Sequence, residues 1–77
     1  MKDLTHYLVC RLVDHPEAVE VNEQVDEAGR IVISIKVDPS DMGQIIGKEG
    51  RIIKSLRDVV KILAVKQNKL VDVTVTE

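Results

Sequence analysis

Seventy-seven residues allow one hydrophobic core and leave no chain for a second domain or for walling in a cofactor. The composition, 44% apolar and 31% charged with one cysteine and Tyr7 as the sole aromatic, fits a small soluble domain; it excludes an internal disulfide and an aromatic platform for stacking bases. The net charge of −2 hides an asymmetry: residues 1–39 hold four Lys/Arg against eight Asp/Glu (−4), and residues 40–77 hold seven against five (+2).

From Lys2 to about Val13, Leu4, Tyr7, Leu8 and Leu12 recur at helical spacing with Val9 and Val13 between them, which predicts an amphipathic helix. It has to stop before Pro16, because a residue preceding proline is pushed out of the helical region. Over 18–26, Val19 and Val21 alternate with acids and predict a half-exposed strand. Glu27-Ala28-Gly29 reads as a turn in which Gly29 takes positive φ. Residues 30–37 put Ile31, Ile33, Ile35 and Val37 on one face, and Val32, Ser34 and Lys36 on the other. This is the clearest strand, and the two strands should form an antiparallel hairpin. Asp38-Pro39-Ser40-Asp41 predicts a helix start, with Asp38 at the N-cap, Pro39 at the first helical position and Asp41 reaching back as in a capping box. That helix is short, since Gly47 follows after about two turns, and a further helix begins after Gly50 and runs to about Lys66. Residues 70–76 alternate again, with Val71, Val73 and Val75 on one face. The order is α-β-β-α-α-β. A right-handed crossover makes strands 30–37 and 70–76 parallel. The expected fold is therefore α+β, a single domain over 1–77 with a three-stranded mixed sheet and three helices packed on one face.

Gly47 and Gly50 stand out, because glycine in helical surroundings costs about 1 kcal/mol against alanine. A Walker A loop does not fit: Gly43 to Gly47 is one residue short, and Glu49 stands where the magnesium-binding hydroxyl belongs. A dinucleotide fingerprint needs a third glycine at a strand-to-helix turn, whereas this pair lies between two helices. A helix–GxxG–helix turn does fit. Bare glycines let a phosphate approach the backbone, and the start of the next helix adds partial positive charge. Lys48, Arg51 and Lys54 supply full charges, and Glu49 opposes them. The residues placed to meet a phosphate backbone are Ile46, Gly47, Lys48, Glu49, Gly50, Arg51 and Lys54, and a resemblance to the KH groove, carried by the motif that follows, implies that the backbone is RNA and that it lies over an apolar floor of Ile45, Ile53, Val71 and Val73. A plain helix–helix turn and ordinary core packing are the competing readings of the same residues.

The stretch IIGKEGRIIKSL at 45–56 fits the pattern Val/Ile, then Ile-Gly-x-x-Gly-x-x-Ile-x-x-Ile/Leu, with Ile53 and Leu56 in the last two apolar places. With the element order, it resembles the type II KH domain usual in bacteria. More narrowly, LVDHPEAVEV at 12–21 and VDPSDMGQIIGKEGR at 37–51 are similar to the KhpA family, small bacterial proteins of one KH domain, and the resemblance covers nearly the whole chain. It implies a GxxG loop that clamps about four single-stranded nucleotides, and a role as an RNA regulator or RNA chaperone of low sequence specificity. It also implies a homodimer, a partner of the KhpB (Jag/EloR) type, and an influence on cell division or cell shape in some bacteria. The Lys48-Glu49 pair departs from the two basic, or basic-plus-small, residues common in this loop.

Along the helix of 50–66, Ile53, Leu56, Val60, Leu63 and Ala64 form a stripe about 100° wide, and Val59, Ile62 and Val65 fall outside it. In a chain too short to cover them, these three are expected to form a dimer interface; a broad buried face is the competing reading. A dimer presents two clamps and gains roughly 10²–10⁴ in apparent affinity. His6, His15 and Cys10 lack partners at catalytic or metal-ligand spacing, and no nucleophile stands beside a base, so no enzyme, metal or cofactor is expected. A lone cysteine, no run of 18 apolar residues and no signal-peptide core predict a cytoplasmic protein with no membrane association. A function of another class also fits: a protein-interaction subunit that dimerises or docks a second KH protein, with RNA secondary. Net charge and Glu49 favour it, whereas the basic run Lys48, Arg51, Lys54 and Arg57 favours RNA.

Overall fold

A computed structural model describes residues 1–76. Helices α1 (Lys2–Cys10), α2 (Met42–Ile46) and α3 (Arg51–Lys66) and strands β1 (Glu20–Val25), β2 (Ile31–Lys36) and β3 (Val71–Thr76) follow the expected order. The sheet runs β1-β2-β3. β1 pairs antiparallel with β2, Val21 opposite Ile35, and β2 pairs parallel with β3, Ile33 opposite Val73. Period two decides which face is covered. Ile31, Ile33 and Ile35 are buried, while Val32 and Ser34 are half-buried and Lys36 is exposed. Val21 and Val71 with Val73 extend the inward row onto the neighbouring strands. Val9 of α1, Ile45 of α2, and Ile53, Leu56, Val60 and Ala64 of α3 close the core from that side. The fold is α+β, with its helices on one face of a mixed sheet.

The ends of the elements differ slightly from expectation. α1 stops at Cys10 rather than near Val13, because its last turn tightens: Leu12 N–H bonds the Val9 carbonyl three residues back, at 2.9 Å. β1 starts at Glu20, since Pro16–Ala18 forms a single 3₁₀ turn. Gly29 has φ 83° as expected, and the Asp26 carboxylate accepts the Ala28 and Arg30 N–H groups at 2.9 Å each. Asn68, at φ 58°, closes α3, with Lys69 N–H on the Ala64 carbonyl at 2.9 Å.

The helix start at 38–41 needs a correction. Asp38 does cap, accepting Ser40 N–H at 2.9 Å and the Ser40 hydroxyl at 2.7 Å. Asp41 does not reach back. Its side chain is 1% exposed and accepts N–H groups from His15 at 3.0 Å and Asp14 at 3.4 Å, with His15 Nδ1 at 3.1 Å. Those N–H groups belong to the connection after α1, where no helix or strand supplies an acceptor, so they take the carboxylate in place of the capping box. His15, expected to have no role, thereby ties this connection to the start of α2.

Candidate nucleic-acid interface

α2 is five residues long because Gly47 follows with φ 74° and ψ 178°, a conformation closed to most side-chain-bearing residues. A Cβ at Gly47 would lie 2.5 Å from Cγ1 of Ile52, so the missing side chain also lets the loop close on α3. Gly50 has φ 73° and ψ 16°, yet a Cβ there would meet nothing within 4 Å. Packing therefore requires glycine at 47 only, and at 50 the backbone alone favours it. Between them Glu49 is left-handed, φ 59° and ψ 26°. Its carboxylate accepts from Arg51 Nη2 at 3.2 Å, with both side chains largely exposed. The acid is thus turned toward a neighbouring cation, in an ion pair that solvent screens.

Lys48 and Lys54 are exposed beside this turn. Lys54, Arg57 and Lys61 follow at i, i+3 and i+7 and so share one face of α3. Arg57 and Lys61, with Asp72, Val73 and Thr74, line a cleft of about 350 Å³ between α3 and β3. The carbonyls of Leu70 and Thr76 bond to residues of or beside β2. The alternation of a strand then turns the Val73 carbonyl outward, and Arg57 Nε donates to it at 3.0 Å. Beyond Lys61 the surface continues into a second depression of about 210 Å³, whose cations are Arg30, Lys61 and Lys69. Arg30 there is paired with Asp72 at 2.9 Å.

Ile46, Gly47, Lys48, Glu49, Gly50, Arg51 and Lys54 lie together at the α2–α3 junction, and Ile46 is 38% exposed. The expected floor is corrected. Ile45, Ile53, Val71 and Val73 are 0%, 8%, 5% and 4% exposed, and their side chains are core, because so short a chain needs every inward face to cover Ile33 and Ile35. The apolar groups at the surface near the loop are Ile46 and Ile52, and Val73 offers its carbonyl rather than its side chain. Lys61 was not among the expected contacts, although its spacing from Lys54 and Arg57 carries the signal. Val59, Ile62 and Val65 are exposed. Among the described residues, no three His, Cys, Asp or Glu side chains gather to hold a metal ion, and no helix is long and apolar enough to cross a membrane. A bare turn at the head of a row of exposed cations, facing an edge strand, can receive a flexible polyanion.

The model of a family described as KhpA/KhpB, KH domain, matches residues 2–75. The chain is 49% identical to the RNA-binding protein KhpA of Clostridium perfringens over 75 residues, 97% of this chain and 99% of that one. It is 47% identical over 75 residues to the RNA-binding protein KhpA of Clostridium acetobutylicum, with the same coverage. The RNA-binding protein KhpA of Chlamydia trachomatis serovar D is 39% identical over 77 residues, covering 100% of this chain and 97% of the relative.

Proposed function

We propose that this chain, which belongs to the KhpA/KhpB KH-domain family, binds single-stranded RNA with the Gly47–Gly50 turn as its phosphate clamp. The observation that carries the reading is the alignment of that turn with Lys48, Lys54, Arg57 and Lys61 along one side of α3. Phosphates lie against Gly47 and Gly50, where no side chain blocks the backbone, and Lys48 and Lys54 neutralise them. Ile46 and Ile52 flank the sugars. Bases follow the cleft toward β3, where Arg57 swings from the Val73 carbonyl to a phosphate and frees that acceptor for a base N–H. Phosphate contacts position a strand without reading it, so sequence specificity is low. The chain is not an enzyme: its relatives carry the name of RNA-binding proteins. A cytoplasmic RNA regulator or chaperone, paired with a second KH protein of the KhpB kind, fits this reading.

Replacing Lys48 and Glu49 together by aspartate shifts the loop charge by two units and sets two short acids at the clamp. Binding of a single-stranded RNA oligonucleotide, followed by fluorescence anisotropy at fixed salt, should weaken about tenfold or more. The slope of log K against log salt should fall by about one phosphate contact, with the unfolding midpoint in urea unchanged. Equal binding by the variant at the same salt removes the clamp assignment.

A second reading rests on Val59, Ile62 and Val65, which are 45%, 59% and 64% exposed on one helix. They form the core of a homodimer, or of a heterodimer with a second KH protein. Ile62→Glu should shift the chain to monomer mass in sedimentation equilibrium at micromolar concentration. An unchanged mass removes α3 from the interface.

A further inference from the structure

The cleft between α3 and β3 does not end at Lys61. It opens into the depression of about 210 Å³ where α3 ends and β3 begins, and Lys61 and Asp72 line both. Arg30, Lys69 and Leu70 also line the depression. Backbone bonds hold these three in place: Ile31 N–H donates to the Leu70 carbonyl at 2.8 Å, Lys69 N–H to the Ala64 carbonyl at 2.9 Å, and Arg30 N–H to the Asp26 carboxylate at 2.9 Å. Leu70 is 63% exposed. Among the described residues, Asp72 is the one acid that lines either hollow. Its Oδ2 accepts from Arg30 Nη1 at 2.9 Å, and no hydrogen bond to Oδ1 is found among the described residues.

A carboxylate repels phosphate, so a trough that served the RNA backbone alone would have no use for Asp72. It does suit the N–H groups of a base. We propose that Asp72 and Arg30 form a base-reading subsite for one guanine, taken from the same RNA beyond the nucleotides held at the Gly47–Gly50 turn; this rests on the RNA reading above. Of the four RNA bases, guanine alone presents two neighbouring N–H positions, N1 and N2, on its Watson–Crick edge, with the O6 acceptor beside them. The two oxygens of Asp72 accept that pair, since a carboxylate has lone pairs enough to keep Arg30 as well. Arg30 donates to O6 through an N–H that Asp72 leaves free. Adenine and cytosine offer one amino group on this edge and uracil one N–H, so each leaves part of the carboxylate unmatched. A well-placed bidentate contact discriminates by about tenfold or more. Leu70 covers a face of the base, and Lys61 and Lys69 neutralise the adjoining phosphates. Along α3, Lys61 lies about 16 Å from Gly50, and a KH turn holds about four nucleotides. One guanine is therefore read toward one end of the bound segment, and the clamped part stays unread.

The probes are oligouridines of about seven nucleotides carrying one guanine, adenine or cytosine near either end, titrated into the full-length chain by fluorescence anisotropy. Guanine near one end should tighten binding about tenfold over uridine alone. Guanine near the other end, or adenine or cytosine at the favoured one, should change it less than about twofold. Asp72→Asn should erase the guanine preference while all-uridine RNA binds as well as before or more tightly, because an acid facing a polyanion has been removed. That ion pair is exposed, so the urea midpoint should barely move. In the ¹⁵N-labelled chain, the amides of Arg30 and of 69–72 should shift with the favoured guanine RNA and much less with all-uridine RNA. Equal binding of the four bases overturns the proposal, as does a guanine preference that survives Asp72→Asn or shifts that lie elsewhere. It is also overturned if guanosine monophosphate alone moves the same amides at the concentration the RNA needs, which marks a site for a free nucleotide. All-uridine RNA that shifts 46–54 without any guanine preference sinks this proposal and leaves the clamp standing. RNA that does not bind at all sinks both.

Discussion

Asp41→Ala should lower the stability of the fold by about 3 kcal/mol. The Asp41 side chain is 1% exposed and accepts the N–H groups of His15 and Asp14. Alanine leaves both without an acceptor in a part-buried site, at about 1–3 kcal/mol for each donor left unpaired. A domain of this size has a total stability of about 4–12 kcal/mol, so the loss is a large share and should appear as a marked fall in the urea midpoint. Asp41→Asn keeps one carbonyl acceptor and should lose less. The difference also depends on pH. His15 is raised above its ordinary 6.5, first by its hydrogen bond to Asp41 and then by the charge on that carboxylate. A raised histidine stabilises the fold fully below the unfolded value, and the contribution fades as pH rises through the folded one. The gap between the parent and Asp41→Asn should therefore narrow from pH values below 6.5 to values well above it, leaving the backbone share. A gap that widens with pH contradicts the pairing. Because Asp41 stands directly before α2, the same variant should also loosen the turn that α2 leads into.

Gly47→Ala should cost about 3 kcal/mol or more, and Gly50→Ala only about 1–2 kcal/mol. Both positions have positive φ, but only at 47 would the new methyl lie 2.5 Å from Cγ1 and 2.9 Å from Cβ of Ile52. Strain and overlap add there, whereas strain acts alone at 50. The measurement is urea unfolding of both variants and of each combined with Ile52→Ala. Shortening Ile52 should recover part of the loss at 47 and none at 50, a coupling that appears only for groups in contact. Equal costs at 47 and 50 would mean that the loop does not close on α3 as described.

The sheet was legible because Ile31, Ile33 and Ile35 alternate without interruption, and a period of two has one structural meaning. Gly29, Gly47 and Gly50 were legible for a related reason, since each sits where the chain must reverse and each has positive φ. Asp41 was not legible. Local spacing offered it a capping role, while its partners Asp14 and His15 lie 27 and 26 residues back in the chain, and only the folded sheet brings them together. The groove floor was misplaced because its residues, Ile45 and Ile53 beside the turn and Val71 and Val73 on β3, are also those facing the core. Periodicity marks Ile45 and Ile53 as apolar and inward, and inward here means buried. Lys61 was not among the expected contacts, although the same periodicity places it with Lys54 and Arg57.

The clamp and cleft are tested most directly by titrating a short single-stranded RNA into the ¹⁵N-labelled chain and recording which amides move. The shifts should concentrate at 46–54, continue through Arg57 and Lys61, and include 71–75 on the facing edge of β3, and they should disappear in the Lys48, Glu49 double-aspartate variant. Shifts confined to α1 or to the open face of the sheet, or an unchanged pattern in that variant, would contradict the assignment.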